Sequence, residues 1–244
     1  MKKGVVMGKK TRQLVTGPEA EQATRCVTDE AQKICDASSV RMPKIRIVNA
    51  LSGPTDDLTA EVHFPLRGPP IMNVPLRVVQ EYPRKAFVYL VTHEVGHVAT
   101  KDQRLRLCKA ALLVLMVLVT IASAFMGFSG AYSELILSEP SVWPAPAASA
   151  LLLSSLVPLA GILVIMRREE RDADRFAAEY LGDIEGAEEC FRFTESRRKP
   201  AKKSGWFTRW LRRVFATHPP NASRVQAMRT ALQGDGREHG ARPL

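Results

Sequence analysis

The stretch THEVGH, at positions 92–97, lies within residues 83–100, whose apolar spacing predicts a helix. His93 and His97 are four positions apart and therefore project from one face of that helix, where both imidazoles can reach one metal ion. Glu94 is rotated from them by about 100° and can reach a water held by that metal. Zinc suits imidazole ligands and activates water at neutral pH, so the stretch predicts a hydrolytic zinc site.

A hydrolytic zinc site needs a third protein ligand and an open coordination position. A metzincin would continue the pattern with Gly at position 100 and His at position 103, but the chain has Thr100 and Gln103 there. The next acidic candidates are Glu169 and Glu170, in the stretch 168–174, which we expect to open another helix. On spacing alone, either glutamate can complete the site.

Two long uncharged runs, Ala110–Phe128 and Trp143–Met166, lie between these stretches. At about 1.5 Å per helical residue, each run can cross a hydrocarbon core of about 30 Å. Basic residues flank the outer ends of the pair, whereas the connecting loop has Glu134 and Glu139 but no Lys or Arg. By the positive-inside rule this arrangement predicts a membrane hairpin with both chain ends in the cytoplasm. The alternative, two buried helices of a soluble bundle, does not account for the flanking charges.

The amino-acid composition further limits the class of protein. The chain has 244 residues, which favours one domain with at most a small appendage, and its 45% hydrophobic and 25% charged residues exclude wholesale disorder. Its net charge of +10 favours an acidic partner, either nucleic acid or anionic lipid head groups. The four cysteines form no C-x-x-C pair, which predicts reduced thiols in a cytosolic setting. The basic N-terminus lacks an apolar core of secretory length, so we do not expect a signal peptide.

A basic segment spans residues 192–213, where Lys and Arg are interleaved with Trp206, Phe207 and Trp210. Each basic residue near an anionic membrane surface contributes about 1 kcal/mol, and Trp favours the interface. We therefore expect this segment to be a membrane-surface anchor. A plain solvated loop and a nucleic-acid-binding segment are the alternatives, and the second is disfavoured in a chain already held at a membrane.

Three motifs in this order resemble the HtpX and CAAX-prenyl-protease-like family of membrane zinc metallopeptidases, which are gluzincins. The first is the H-E-x-G-H helix, and the second is E-x-x-A-D at Glu170–Asp174, after the predicted membrane hairpin. The third is T-H-P at 217–219, which precedes Arg224. The resemblance covers roughly residues 43–231, and three ordered motifs are far more specific than any one of them.

The resemblance implies one Zn²⁺ per chain, held by three ligands: His93, His97 and Glu170. It also implies that Glu94 is the general base and acid, and that Asp174 orients a zinc-ligating imidazole. His218 would correspond to the family's histidine near the metal, which donates to the developing oxyanion. The alternative for His218 is a surface histidine at the start of a helix. Asn49 and Ala50 are similar to a family pair near the substrate strand, but they lie farther upstream than usual.

The fold implied by the resemblance is α+β: a zincin-like, mostly helical metallopeptidase domain interrupted by a two-helix transmembrane hairpin. We expect the two halves of the catalytic domain at 1–105 and 167–231. The hairpin would occupy 106–166, with spans at about 110–128 and 143–166, and a flexible tail would occupy 232–244.

The implied function is a zinc metalloendopeptidase of the cell (inner) membrane, multi-pass, with both termini and the catalytic domain cytoplasmic. It would hydrolyse peptide bonds of membrane or membrane-proximal proteins, binding the polypeptide extended beside an edge strand within 44–74. The expected partners are this polypeptide, the lipid bilayer and anionic head groups, but not nucleic acid. The alternative is a catalytically inactive zinc-containing module that recruits an anionic partner through residues 192–213. The presence of Glu94 favours catalysis, because zinc binding alone does not need it.

Overall fold

The computed structural model describes residues 14–49, 59–65, 67–100, 103–136, 149–150, 153–197, 205–206 and 219–238. Its described elements are mainly helical with one small sheet, as expected for an α+β protein. In chain order they are α1 (Pro18–Ser38), β1 (Lys44–Val48), β2 (Glu61–His63), β3 (Ile71–Pro75), α2 (Leu76–Glu81), α3 (Arg84–Ala99), α4 (Gln103–Ile136), α5 (Leu156–Leu181), α6 (Glu185–Arg197) and α7 (Asn221–Glu238).

The chain divides into two compact units. The first contains the described residues of Met1–Lys101, Glu170–Gly205 and Pro219–Leu244, and the second contains those of Asp102–Glu169 and Trp206–His218. The sheet, the helix with the two histidines and the E-x-x-A-D motif all belong to the first unit.

In the first unit, α1 covers one face of the small sheet. The helix begins at Pro18, whose fixed φ and missing N–H suit a first turn. Its buried residues recur at spacings of three and four, so one apolar stripe packs against β1, α2 and α3. The stripe consists of Ala20, Ala23, Val27, Ala31 and Ile34.

The three strands have the order β1–β3–β2, with β1 parallel and β2 antiparallel to β3. Met72 and Val74 of β3 are buried on the face that packs on the helices. The outer edge of β1 is partly covered, because Leu14 forms an antiparallel bridge with Val48. Within the described ranges, no strand pairs with the outer edge of β2.

Helix α3 is buried along most of its length and packs against α1 and α6. Two glycines allow its close packing with neighbouring helices. A Cβ added at Gly96 would lie 2.9 Å from the Ala173 carbonyl oxygen of α5, and one at Gly186 of α6 would lie 2.7 Å from the Lys85 carbonyl oxygen of α3. Because no side chain tolerates such distances, Gly96 sets how closely α3 approaches the part of α5 that carries Glu170.

Helix α5 corrects one expectation. The stretch 168–174 does not open a helix, because α5 begins at Leu156 and continues without a break to Leu181. Pro158 lies in its first turn, where a missing N–H breaks no helical hydrogen bond, and no further proline follows. Hydropathy changes sharply near residue 167, but this change is not a signal that ends a helix. Gly182, with φ of 71°, terminates α5 in the left-handed conformation.

In the second unit, α4 contains the stretch Leu107–Met126, which is long and apolar enough to cross a membrane. Only 6% of its most apolar window is buried within the protein. The helix starts before the predicted span and continues to Ile136, into residues that we expected to form a loop. Among the described helices, no other passes the same test. Parts of the predicted second span, 143–148 and 151–152, lie outside the described residues, so the two-span hairpin stays a prediction.

The second unit also shows how α4 and the first half of α5 pack together. Lys109 Nζ donates a hydrogen bond of 2.6 Å to Glu169 Oε2. Further along, Gly161 lies against Leu112, whose Cδ1 would be 3.0 Å from a Cβ at position 161. As the residue number rises from 109 to 112 on α4, it falls on α5, so the two helices run antiparallel.

Helix α7 is held on α6 by two side-chain contacts in the first unit. Asn221 Nδ2 donates to Glu195 Oε1 at 2.8 Å, and Arg229 Nη2 donates to Glu188 Oε1 at 2.6 Å. Arg224 is therefore directed into the protein, where it is buried.

Candidate metal centre

The structure brings the three predicted ligands together at one point in the first unit. His93 Nε2 lies 3.7 Å from Glu170 Oε2, and His97 Nε2 lies 3.6 Å from Glu170 Oε1. These separations are too long for hydrogen bonds. A tetrahedral zinc ion with bonds of about 2.0–2.2 Å separates its ligand atoms by about 3.3 Å. The observed distances are close to that value, so the three side chains fit one metal ion.

The charge of the site also fits a divalent cation. Three carboxylates, those of Glu94, Glu170 and Asp174, are largely buried together with one guanidinium, that of Arg224. With the imidazoles neutral, three negative charges and one positive charge leave −2. A buried net charge is costly unless it is compensated, and one divalent cation compensates this one.

The two glutamates that spacing left open have different neighbours. Glu169 accepts the hydrogen bond from Lys109, whereas Glu170 meets the two imidazoles. Adjacent helix positions are rotated by about 100°, so only one of the two can face α3. The geometry therefore favours Glu170.

Asp174 lies one turn after Glu170 and is 1% exposed. Its Oδ1 accepts hydrogen bonds from the Tyr89 hydroxyl at 2.8 Å and from Arg224 Nη2 at 2.6 Å, and its Oδ2 accepts one from Arg224 Nε at 2.7 Å. His93 Nδ1 is 2.9 Å from Oδ1, within hydrogen-bonding distance but at a bent angle. A carboxylate at Nδ1 favours the imidazole tautomer whose Nε2 can bind a metal.

These contacts separate the proton affinities of the two histidines. Burial opposes protonation of His93, but the Asp174 carboxylate outweighs it and raises the His93 pKa above 6.5. Burial, together with the neighbouring His93, lowers the pKa of His97 to about 3. Burial alone would raise the pKa of Asp174, yet the Arg224 guanidinium and His93 hold it well below its usual value. At neutral pH Asp174 is therefore ionised, and His97 has a free lone pair.

Sequence reasoning assigned no role to Tyr89, and it noted Arg224 only as part of the third motif. Tyr89 precedes His93 by four residues and therefore shares its face of α3, a spacing that identifies it as a neighbour of the site. Arg224 gave a weaker signal, because an arginine in a polar helix is usually solvated.

Other predicted residues are placed as follows. Glu94 follows His93 on α3 and is 5% exposed, and Asn49 is exposed at the end of β1. His218 and Ala50 lie outside the described residues, as does most of the basic segment. The described residues 192–197 form the end of α6, where Arg197 Nη1 lies 3.0 Å from Glu81 Oε2. This arginine is thus paired within the protein.

A sequence model of peptidase family M48 matches residues 80–232, which is more than half of the chain. The chain belongs to peptidase family M48. The resemblance to HtpX and CAAX-prenyl proteases is thereby confirmed. The M48 match includes all of α3 and α5 and the position of Arg224, so it contains the whole candidate metal centre. Membership of M48 indicates a metallopeptidase.

We predict that Glu170→Gln weakens zinc binding by at least about 100-fold. Replacing a residue that only contacts a metal ligand already weakens metal affinity by about 10–100-fold, and loss of a ligand should cost more. Chelator competition and metal analysis after dialysis measure the effect. Glu169→Gln is the matched control, because it makes the same chemical change at the next residue, and it should keep its zinc. Normal zinc affinity in Glu170→Gln would remove Glu170 from the ligand set.

Zinc affinity should also report the different pKa values of the histidines. As the pH falls below the raised pKa of His93, a proton must leave this imidazole before zinc binds, whereas His97, with a pKa of about 3, is already neutral. We therefore expect the zinc Kd to rise about tenfold per pH unit between about pH 6.5 and about pH 5, above the range where Glu titrates. A hundredfold rise per unit would show that both imidazoles are protonated in the metal-free protein.

Proposed function

We propose that this protein is a membrane-anchored, zinc-dependent endopeptidase. The observation that carries the proposal is the convergence of His93, His97 and Glu170 beside Glu94 in a member of family M48. Two imidazoles and one carboxylate leave a coordination position for water or substrate, which is typical of catalytic rather than structural zinc sites.

Zinc bound by these ligands supplies a Lewis acid that polarises a peptide carbonyl and makes water more acidic. In this proposal Glu94 takes a proton from the attacking water and later gives it to the leaving amine. Asp174 keeps His93 in the orientation that directs its Nε2 to the metal. His218 is proposed to donate a hydrogen bond to the developing oxyanion.

The outer edge of β2 is the proposed docking edge for an extended substrate. This strand contacts α3, which carries Glu94, and within the described residues its outer edge has no partner strand. The opposite edge of the sheet is partly covered, because Val15 N–H donates to the Ile47 carbonyl at 3.1 Å. Asn49 follows β1, which lies at the opposite edge of the sheet from β2. Asn49 is therefore not part of the proposed docking edge.

The proposed anchor is a hairpin made by Leu107–Met126 and the apolar start of α5. The antiparallel contacts of Lys109 with Glu169 and of Leu112 with Gly161 support the hairpin. Flanking basic residues favour cytoplasmic termini and a cytoplasmic catalytic domain at the inner membrane. Membrane or membrane-proximal proteins are then the accessible substrates, and the basic segment 192–213 is proposed to bind anionic lipid head groups.

Single cysteines can test this topology in a Cys108→Ala background, because the other three native cysteines are buried or partly buried. A membrane-impermeant maleimide should label Ser141→Cys, in the predicted external loop, in intact spheroplasts. It should label Ser196→Cys, on the exposed surface of α6, only in inverted vesicles. Labelling of both positions from the same side would contradict the hairpin.

Catalysis can be tested with Glu94→Gln. We expect this variant to keep its zinc but to lose about 10²–10⁴-fold of its activity on casein or on the chain itself, because it lacks the proton-transfer group. Glu179→Gln makes the same change at an exposed position of α5 and should retain activity. If the wild-type protein binds zinc but cleaves neither substrate, the chain is a non-catalytic zinc module instead.

A further inference from the structure

Tyr89 makes a contact with the site that the proposed mechanism does not use. Its hydroxyl donates a 2.8 Å hydrogen bond to Asp174 Oδ1, and the residue is 2% exposed. The ring lies edge-on to Phe191, with centroids 5.8 Å apart, and 5.9 Å from the ring of His93. Packing thus holds the ring in place, and the hydroxyl is directed at the carboxylate that contacts His93.

Oδ1 is the more crowded oxygen of the Asp174 carboxylate. Three donor atoms lie within hydrogen-bonding distance of it, Tyr89 Oη at 2.8 Å, Arg224 Nη2 at 2.6 Å and His93 Nδ1 at 2.9 Å, whereas Oδ2 accepts one bond, from Arg224 Nε. Arg224 belongs to α7, whereas Tyr89 and His93 both belong to α3. The position of Oδ1 therefore depends on donors from two helices. Tyr89 and His93 attract it toward α3, whereas Arg224 attracts it toward α7.

We infer that Tyr89 is a positioning residue for the metal centre: its hydroxyl holds the Asp174 carboxylate beside His93, so that this imidazole presents Nε2 to the metal. The inference rests on the proposed function, since it assumes that the site binds zinc. Tyr89 itself does not touch the metal or the substrate, and it acts through Asp174. It also ties α3 to α5 before any metal binds, which leaves less rearrangement for metal binding to drive.

A phenylalanine at this position would fill the same space but would remove one donor from Asp174. With Tyr89 absent, the guanidinium of Arg224 is the stronger remaining partner and draws Oδ1 away from His93. Replacing a residue that contacts a metal ligand typically changes metal affinity by about 10–100-fold. Tyr89 contacts Asp174, which in turn contacts the predicted ligand His93, so its effect should be smaller. We therefore expect Tyr89→Phe to raise the zinc Kd by about 3–10-fold.

The test compares Tyr89→Phe with Tyr82→Phe in the full-length protein in detergent. Tyr82 is also buried in the first unit, where its ring packs on Phe193 with centroids 4.7 Å apart. Three quantities are measured: the zinc Kd by chelator competition, the visible absorption of the Co²⁺ form, and the thermal unfolding midpoint in EDTA. A purely structural role affects only the third.

The inference predicts a weaker zinc Kd and a shifted Co²⁺ band for Tyr89→Phe, and wild-type values of both for Tyr82→Phe. Wild-type values of both in Tyr89→Phe would overturn it while leaving the proposed function intact. A wild-type protein that binds no zinc would overturn the proposed function and the inference together. If Tyr89→Phe does not fold, a fluorinated tyrosine at position 89 keeps the ring and strengthens the donor. An unchanged Co²⁺ band in that protein would overturn the inference.

Discussion

The Asp174 carboxylate and the Arg224 guanidinium meet in the interior of the protein through hydrogen bonds of 2.7 and 2.6 Å. Both groups are buried, so each depends on the other to replace lost hydration, and removing one partner of such a pair typically costs about 3–5 kcal/mol. Asp174 belongs to α5 and Arg224 to α7, and Tyr89 and His93 of α3 meet the same carboxylate. Three helices that are distant in sequence are thus held together by one acidic side chain.

The same pair explains why the metal centre retains negative charge. Arg224 offsets one of the three buried carboxylates, and Glu170 and Glu94 supply the remaining charge. If a neutral residue replaced Arg224, burial would favour protonation of a carboxylate, and a protonated Glu170 would be a poor ligand. The guanidinium thus keeps the carboxylates of the candidate metal centre ionised, and its Nη2 is 3.7 Å from Glu170 Oε2.

Helix packing brings the predicted ligands of α3 and α5 together, and the start of α5 differs from the one that composition predicts. We expected a helix to start at Arg168, because composition changes from apolar to charged there. The backbone continues from Leu156, since helical hydrogen bonds depend on local geometry and not on the polarity of the surroundings. The contact between Gly96 and Ala173, by contrast, joins residues distant in the chain, and no periodicity in either helix predicts it.

The sequence by itself determined the helix α3, the spacing of His93 and His97 within it, and their presentation on one face. All of these follow from interactions within a few residues, which periodicity and turn chemistry report directly. Spacing left Glu169 and Glu170 open and only the motif resemblance favoured Glu170, whereas the tertiary structure turns Glu170 toward the imidazoles and places Tyr89 and Arg224 on Asp174. The physical reason is that these choices depend on how whole helices are rotated and packed against one another, and helix rotation is set by contacts between residues that are far apart in the chain.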